Sequence, residues 1–338
     1  MSISSAEIKK KALELGFTSC GIIPAIAFDE YRQSLDERIK AFPQAKEHYA
    51  KLYDLVNPPK EAKSIIVCVV PYNKYKVSDF FDGLIGKMYL FDDRIPYSDG
   101  FRANKEFEMY LQTGNLKIIP YSPPDRWAAA KANVAKFGRN NFSYSHENGS
   151  YIVIATWTVD KELDYDEISQ DIQLKECSDK CHLCVKACPT NAMTDGFEMN
   201  RSRCVAQLSF GAEDSLDAKT REQMGAWIYG CDVCQDVCPV NKGKLIKSEE
   251  FPLLSQFEDF MKPENILTMD DDTYINIVNP RFFYIGEDGF WMWQCNALRN
   301  LINSENPKHY ELIKSFTEHE NPHVREVAKW GCEKLGIE

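Results

Sequence analysis

No stretch of this 338-residue chain carries the run of about 18 apolar residues that a membrane-spanning helix requires. The opening residues, "MSISSAEIKKKALELGF", lack the apolar segment and the small-residue cleavage site of a secretory signal peptide. Low-complexity tracts and long Gly/Ser linkers are missing as well, so no segment has the composition of a flexible linker. We therefore expect a cytoplasmic protein that has no membrane partner.

Positive charge is in short supply. The chain has 40 lysines and arginines against 51 aspartates and glutamates, which gives a formal net charge of −11. Proteins that hold nucleic-acid phosphates without sequence preference need cations, so this balance argues against such binding, although a local basic patch could survive it. Residues 242–338 alone contain 11 basic and 17 acidic side chains, a balance of −6.

Cysteine, in contrast, is abundant. Twelve cysteines in a reducing compartment indicate metal or redox chemistry rather than disulfides. Four of them follow a C-x3-C-x2-C-x3-C-P pattern in "ECSDKCHLCVKACPTNA", namely Cys177, Cys181, Cys184 and Cys188. The stretch "YGCDVCQDVCPVN" adds Cys231, Cys234 and Cys238, and Cys204 stands 27 residues before the first of these.

These eight cysteines are enough for two [4Fe–4S] clusters. In two-cluster ferredoxins the cysteine that precedes proline binds the other cluster. The predicted first set is therefore Cys177, Cys181, Cys184 and Cys238, and the predicted second set is Cys188, Cys204, Cys231 and Cys234. A zinc ribbon is the alternative, which the two Cys-Pro pairs disfavour. Cys177 is the least certain ligand, because ferredoxins usually place two residues, not three, before the next cysteine. The other four cysteines are interpreted as small buried hydrophobes: Cys20, Cys68, Cys295 and Cys332.

Hydrophobic periodicity predicts an α+β fold of three domains. Residues 1–165 alternate helix and strand patterns, with a capping box at Ser4 and Glu7 and strands at 64–72 and 150–160. A helix is predicted over "YSPPDRWAAAKANVAKFG", with Ser122 as N-cap and Gly138 as C-cap. Residues 166–245 hold the cysteines. Residues 246–338 read as helices that break at two Asn-Pro pairs, with the character of a HEAT repeat unit.

The order of these pieces resembles the epoxyqueuosine reductase family, whose relatives are the corrinoid reductive dehalogenases. The matching stretches span nearly the whole chain: "IKKKALELGF", "PPKEAKSIIVCVVPY", "DRWAAAKANVAKFGRNN", "GSYIVIATWT", "CHLCVKACPTNA", "RSRCVAQLSF" and "YGCDVCQDVCPVN". The resemblance implies a nitroreductase-like domain that binds cobalamin, a bacterial two-[4Fe–4S] ferredoxin-like module and a HEAT-like tail. It also implies reduction of epoxyqueuosine to queuosine in tRNA, with an external electron donor such as flavodoxin or ferredoxin. We expect a monomer.

The same resemblance assigns several site residues. A Cys-Asp pair beside the cobalamin falls on Cys231 and Asp232, and a third cofactor contact falls on Gln207. A serine that follows a Gly-Lys-Asn turn falls on Ser143, with Arg139 in place of the lysine. Ser143 and Gln207 could equally be ordinary surface or capping groups.

The chain departs from the family at the proposed proton donor. The family's Asp-Thr-Ala-Pro segment is replaced by "YSPP", so Tyr121 stands where the aspartate is expected. Tyrosine can donate protons, which makes Tyr121 a candidate general acid for a substrate other than an epoxide; the alternative is an aromatic wall of the cofactor pocket. The acidic tail puts tRNA in doubt. Two further functions therefore stay open: a corrinoid reductase of a small electrophile, and an iron–sulfur electron carrier without cobalamin.

Overall fold

The computed structural model describes residues 3–195, 197–211 and 216–338. Its centre is a four-stranded antiparallel sheet in the order β1-β2-β6-β3, formed by β1 (Ser19–Pro24), β2 (Ser64–Pro71), β3 (Ile118–Ile119) and β6 (Ile152–Val159). The predicted strands at 64–72 and 150–160 are thereby confirmed. Seven of the eight residues of β2 are buried, which agrees with its continuous β-branched, apolar sequence.

Helices cover both faces of this sheet. They are α1 (Ser5–Glu14), α2 (Asp29–Ala41), α3 (Lys46–Lys51), α5 (Asp99–Thr113) and α6 (Asp125–Lys131), whereas the short helix α4 (Lys87–Leu90) packs in a different apolar cluster. Side chains of β2 alternate between two apolar clusters: Ile65 and Val67 pack with residues of α2, α3 and α6, whereas Ile66 and Cys68 pack with α1 and α5. The capping box at Ser4 that opens α1 is confirmed.

The predicted helix over residues 121–138 is wrong in length. Helix α6 has only seven residues; Pro124 precedes it, and Ser122 does not cap it. Asn133 takes a left-handed conformation with φ of 58° and turns the chain away. The chain then continues into a two-stranded sheet, so Gly138, seven residues after the helix ends at Lys131, caps no helix. A Cβ at Gly138 would meet the Tyr144 ring at 2.4 Å, which requires glycine there. That sheet consists of β4 (Lys136–Phe137) and β5 (Ser143–Tyr144).

The cysteine-rich part contains short helices joined by loops. They are α7 (Leu183–Ala187), α8 (Val205–Gly211), α9 (Ala218–Gln223) and α10 (Val233–Asp236). Helices α7 and α10, one from each cysteine run, pack against each other. The small apolar cluster between them includes Cys184, Cys234 and Met193. The two cysteine runs therefore meet in space although about 45 residues separate them.

The remainder of the chain is helical: α11 (Pro263–Thr268), α12 (Asp271–Thr273), a π-helical turn at Tyr274–Val278, α13 (Phe290–Ser304), α14 (Tyr310–Ser315) and α15 (Pro322–Leu335). The breaks at the Asn-Pro pairs are confirmed, because the Asn306 and Asn321 side chains accept N–H groups of the turns that follow. The HEAT-like assignment stays a prediction.

The tail is not a separate appendage. The largest apolar cluster combines residues 72–97 with residues 228–330, and within it the rings of Tyr229 and Trp293 stack at 4.8 Å. The boundaries of the three predicted domains stay predictions. Among the described residues, no helix is both long enough and apolar enough to cross a membrane.

Candidate functional site

The thiols of the first cysteine run lie near the last cysteine of the second run. Cys184 lies in the first turn of α7, and burial raises the pKa of its thiol to about 11. The neighbouring thiols of Cys177, Cys238 and Cys181 contribute to that rise. These four residues are the predicted first set. Residues beside them are exposed, including Lys175 to Glu176 and Ser178 to Lys180, so the first set lies near the protein surface.

A second group of thiols lies deeper. Burial raises the pKa of Cys234 well above its ordinary value, and the nearby thiols of Cys231, Cys204 and Cys188 raise it further. These four residues are the predicted second set. Clustered thiols in a low dielectric hold their protons more tightly, and iron binding would displace those protons. Ligation by each individual cysteine stays a prediction.

Backbone amides are already directed at two of the sulfur atoms. The Arg139 N–H donates to Cys177 Sγ at 3.4 Å, and the Ala192 N–H donates to Cys188 Sγ at 3.2 Å. Such bonds stabilise thiolate ligands and raise the reduction potential of a cluster. The uncertain residue Cys177 thus has a backbone environment that suits a ligand.

A cavity of about 380 Å³ lies against the second set. All four cysteines of that set line it, and apolar side chains such as Met88, Phe142 and Phe210 supply much of the remaining wall. Ligand cavities in proteins usually measure about 300 to 1,000 Å³, so this one has the size of a ligand-binding site.

Polar groups at the cavity fit a bound cofactor. The Gln207 side chain lines it, and its buried Oε1 has no hydrogen-bond partner in the described part of the chain. A buried acceptor left unpaired is costly, so a ligand that donates to it would remove that cost. Asp232 also lines the cavity; its carboxylate accepts from the Lys87 backbone N–H at 2.7 Å and from Lys87 Nζ at 3.2 Å.

The residues before Cys231 shape one wall. Gly230 has φ of 80°, and a Cβ at this position would meet the Tyr89 ring at 2.2 Å. Glycine therefore lets Tyr89 pack directly on the chain beside the cysteines. The Tyr89 ring is further held edge-on by Tyr229 at 5.2 Å and by Tyr284 at 4.9 Å.

The structure brings some predicted residues together and leaves others apart. Gln207, Cys231 and Asp232 line the cavity, whereas Ser143, Arg139 and Tyr121 do not. Ser143 lies in β5 and is buried, with its Oγ unpaired among the described residues.

Arg139 and Tyr121 are engaged elsewhere. The Arg139 guanidinium donates to the carbonyl oxygens of Asp195 and Ser178 and lies 4.7 Å from the Phe197 ring, so it supports the loop of the first set. The Tyr121 hydroxyl donates to the Leu55 carbonyl oxygen at 2.6 Å. Burial raises the pKa of Tyr121 to about 12. Neither side chain faces the cavity in this arrangement.

Sequence reasoning does not identify several cavity residues: Tyr89, Arg126, Arg201 and Tyr284. Tyr89 and Tyr284 lie in stretches of ordinary aromatic composition, and no local spacing marks them. The one available signal is the glycine before Cys231, which indicates a close approach but not by which residue. Arg126 stands out in the sequence only as part of an Asp-Arg pair.

Comparison with known proteins agrees with the cysteine pattern. A family model described as "4Fe-4S double cluster binding domain" matches residues 176–241, a range that contains all eight cysteines. The prediction of two [4Fe–4S] clusters is thereby confirmed.

Several similar sequences are those of epoxyqueuosine reductases. An epoxyqueuosine reductase of Leadbetterella byssophila is 29% identical over 79% of this chain and 87% of its own length. One of Staphylococcus aureus is 28% identical over 96% of this chain and 87% of its own length. The predicted resemblance is confirmed.

Solved structures show the same fold. An epoxyqueuosine reductase from Bacillus subtilis, described with its catalytic loop swung out of the active site, superposes with a TM-score of 0.78 at 22% identity, covering 98% of this chain and 90% of the other. A crystal structure of epoxyqueuosine reductase with a tRNA-Tyr epoxyqueuosine-modified stem loop superposes with a TM-score of 0.75 over the same shares, also at 22% identity. The mixed α/β architecture is therefore that of these enzymes.

Proposed function

Because the chain resembles epoxyqueuosine reductases in sequence and in fold, we propose that it is a cobalamin-dependent iron–sulfur oxidoreductase that reduces epoxyqueuosine to queuosine in tRNA. The observation that carries the proposal is the cavity of about 380 Å³ against which all four cysteines of the second set lie. A protein that only carried electrons would have no use for a ligand-sized cavity beside a cluster. This distinguishes the enzyme from the electron-carrier alternative.

The positions of the two cysteine sets suit two different roles in electron transfer. The first set lies beside exposed residues, where an external donor such as flavodoxin or ferredoxin could approach, and the second set faces the cavity. When bound, the clusters supply single electrons, and the reduced cobalamin serves as the strong reductant. The chain's own part is to hold these groups in sequence and to exclude water from the cavity.

Three cavity residues would contact the cobalamin: Gln207, Cys231 and Asp232. Gln207 offers its unpaired Oε1 to a donor on the ligand. Asp232 is fixed by Lys87, whose ammonium also bonds Asp236 Oδ1 at 2.9 Å. That ion pair keeps the Asp232 carboxylate in one orientation at the cavity wall. Ser143 and Arg139 do not line the cavity, and they would stabilise the residues next to its wall.

Removal of the epoxide oxygen as water consumes two electrons and two protons, so the site needs a proton donor. Tyr89 is well placed, since it lines the cavity and its hydroxyl has no hydrogen-bond partner among the described residues. The Tyr284 hydroxyl, in contrast, already bonds Asp92 Oδ2 at 3.3 Å. A phenol is protonated at neutral pH and can donate to the opening epoxide. Tyr121 stays the alternative donor and would need to leave Leu55 first.

The finer assignments follow from the same proposal. Residues 1–165 would be the nitroreductase-like cobalamin domain, residues 166–245 the ferredoxin-like module and residues 246–338 the HEAT-like segment. The tRNA substrate is supported by the stem loop named with a similar structure. A small electrophile as substrate is less favoured, because one of its three supports, Tyr121 as the proton donor, does not face the cavity; the missing aspartate and the acidic tail still speak for it.

A stepwise experiment tests the function. Protein purified without oxygen should carry about eight irons per chain, and added cob(II)alamin should give the EPR spectrum of a protein-bound, base-off form. Epoxyqueuosine-containing tRNA should then be converted to the queuosine form with a chemical reductant. Iron with no cobalamin signal at saturating cofactor would leave the electron carrier. A cobalamin signal without turnover of the tRNA would favour a different electrophile.

A further inference from the structure

Three arginines gather at one side of the cavity. Arg126 and Arg201 line it, and Arg38 lies behind them. Asn141 joins two of the three: its side-chain Oδ1 accepts from Arg38 Nη2 at 3.2 Å, and its backbone carbonyl accepts from Arg126 Nη1. The guanidinium groups of Arg38 and Arg126 are thus held together by one neutral residue, Asn141.

None of these three arginines forms a salt bridge within residues 3–195, 197–211 and 216–338. Arg38 is only 9% exposed, and its Nε has no hydrogen-bond partner there. The Nε of Arg201 is also buried, and it has no hydrogen-bond partner among the described residues. Arg126 is exposed at the cavity, and partial desolvation of its guanidinium, followed by the charges of Arg38 and Arg201, lowers its pKa. Like charges therefore lie close to one another.

The described carboxylates near these arginines form no salt bridge with them. Asp232 is the one carboxylate among the described residues lining the cavity, and it is paired with Lys87 at 3.2 Å. Asp125 adjoins Arg126 and attracts it, but its hydrogen bond is accepted from Thr156 Oγ1 at 2.9 Å. A neighbouring cavity beside Arg38 is lined by three glutamates that do not bond it: Glu30, Glu37 and Glu198. Buried charges persist in proteins when a partner compensates them, so an anion is expected here.

We propose that Arg126 and Arg201, backed by Arg38, form a phosphate-binding site in the wall of the cavity. Guanidinium groups bind phosphate oxygens through paired N–H donors, and a chain with a net charge of −11 would otherwise repel such a ligand. If the proposed function holds, the phosphate comes from one of two sources. One is the phosphodiester of the cobalamin nucleotide, and the other is a backbone phosphate of the RNA.

The site itself can be tested without reference to the function. Cluster-loaded wild type and the Arg126→Gln/Arg201→Gln double variant are heated with inorganic pyrophosphate or with chloride at equal ionic strength. Arg102→Gln is the control, because Arg102 is exposed and lies outside the cavity. Pyrophosphate should raise the Tm of the wild type and the control but not of the double variant. Equal stabilisation of all three proteins would overturn the site.

Ligand comparisons identify the source. Cobinamide lacks the nucleotide phosphodiester of cobalamin. If the cofactor supplies the phosphate, the double variant should bind cob(II)alamin about 10- to 100-fold more weakly and cobinamide as the wild type does. If the RNA supplies it, cobalamin affinity is unchanged, while stem-loop binding weakens and its salt slope falls by about 0.7 for each lost contact. If wild type binds both ligands and the double variant binds each of them equally well, the proposal is overturned.

Two further results keep the anion site separate from folding and from the function. The single variants and Arg201→Lys, which keeps the charge, should show intermediate effects while the cluster absorbance stays at the wild-type level. If wild type binds pyrophosphate at these arginines but neither cobalamin nor the stem loop, the proposed function fails and the anion site stands.

Discussion

Replacement of Gly230 by alanine should displace Tyr89 from the cavity wall. Gly230 lies between Tyr229 and Cys231, with φ of 80°. The added Cβ would lie 2.2 Å from one ring carbon of Tyr89 and 2.4 Å from another. Tyr89 cannot swing away easily, because Tyr284, Tyr229 and Phe210 surround its ring at 4.9 to 5.4 Å.

The size of the effect has two parts. An alanine in a left-handed conformation costs about 1 to 2 kcal/mol relative to glycine. Overpacking against a constrained ring adds about 1 to 3 kcal/mol. Gly243 separates these parts, since it has φ of 74° and no atom within 4 Å of the position that an alanine methyl group would occupy. Gly243→Ala should therefore show the first part alone, and the difference between the variants measures the contact with Tyr89.

The assay is thermal loss of the cluster absorbance at one fixed scan rate, since unfolding with cluster loss is not reversible. With about 2 °C per kcal/mol for a chain of this size, Gly230→Ala should lose about 2 to 6 °C more than Gly243→Ala. Adding Tyr89→Ala to Gly230→Ala should remove most of that difference. Equal losses for the two glycine variants would refute the packing of Tyr89 against Gly230.

Three further outcomes are expected. Tyr89→Phe should lower turnover by about 10²- to 10⁴-fold with cobalamin affinity unchanged, whereas Tyr121→Phe should have little effect; the reverse result would restore Tyr121 as the donor. Cys177→Ser should lose about four irons per chain and Cys68→Ser none, as measured by iron analysis. Burial raises the pKa of Asp93 to about 6, so the native state keeps this proton where the unfolded state loses it. The stability of the wild type should therefore fall as the pH rises from about 4 to about 6. At pH 7.5 the Asp93→Asn variant should be about 2 kcal/mol more stable than the wild type, judged by Tm.

Sequence patterns predicted those parts of the site that lie within short continuous segments of the chain. Seven of the eight cysteines lie in two short runs with fixed spacing, and the proline after Cys188 and Cys238 predicts the exchange between the two sets. Strand β2 could be predicted because a run of buried β-branched residues has few other uses. Helix α6 was predicted too long because its alanine-rich sequence favours helix, whereas Asn133 and the pairing of β4 with β5 end it.

The cavity could not be predicted in the same way, because its wall comes from distant segments. Tyr89 meets Gly230 across 141 positions, and Arg38 meets Asn141 across 103. Contacts at such separations leave no periodicity or spacing in a single sequence. The arginines carried a weaker signal still, since each lies in a stretch whose overall charge is unremarkable.

The predicted exchange of the family's aspartate for Tyr121 would have a consequence for the proton path. A tyrosine that bonds Leu55 serves the apolar cluster between α3 and α6, and it no longer needs to reach the substrate. The proton must then come from another group that faces the cavity, and an unpaired hydroxyl is the cheapest one to use because no existing bond is broken. Tyr89 meets that condition, while Tyr284 is committed to Asp92 and Arg94. The loss of the carboxylate also removes a negative charge that would oppose a phosphate near Arg126. Donor and anion site would then have changed together, which is why the double arginine variant and Tyr89→Phe belong in one set of measurements.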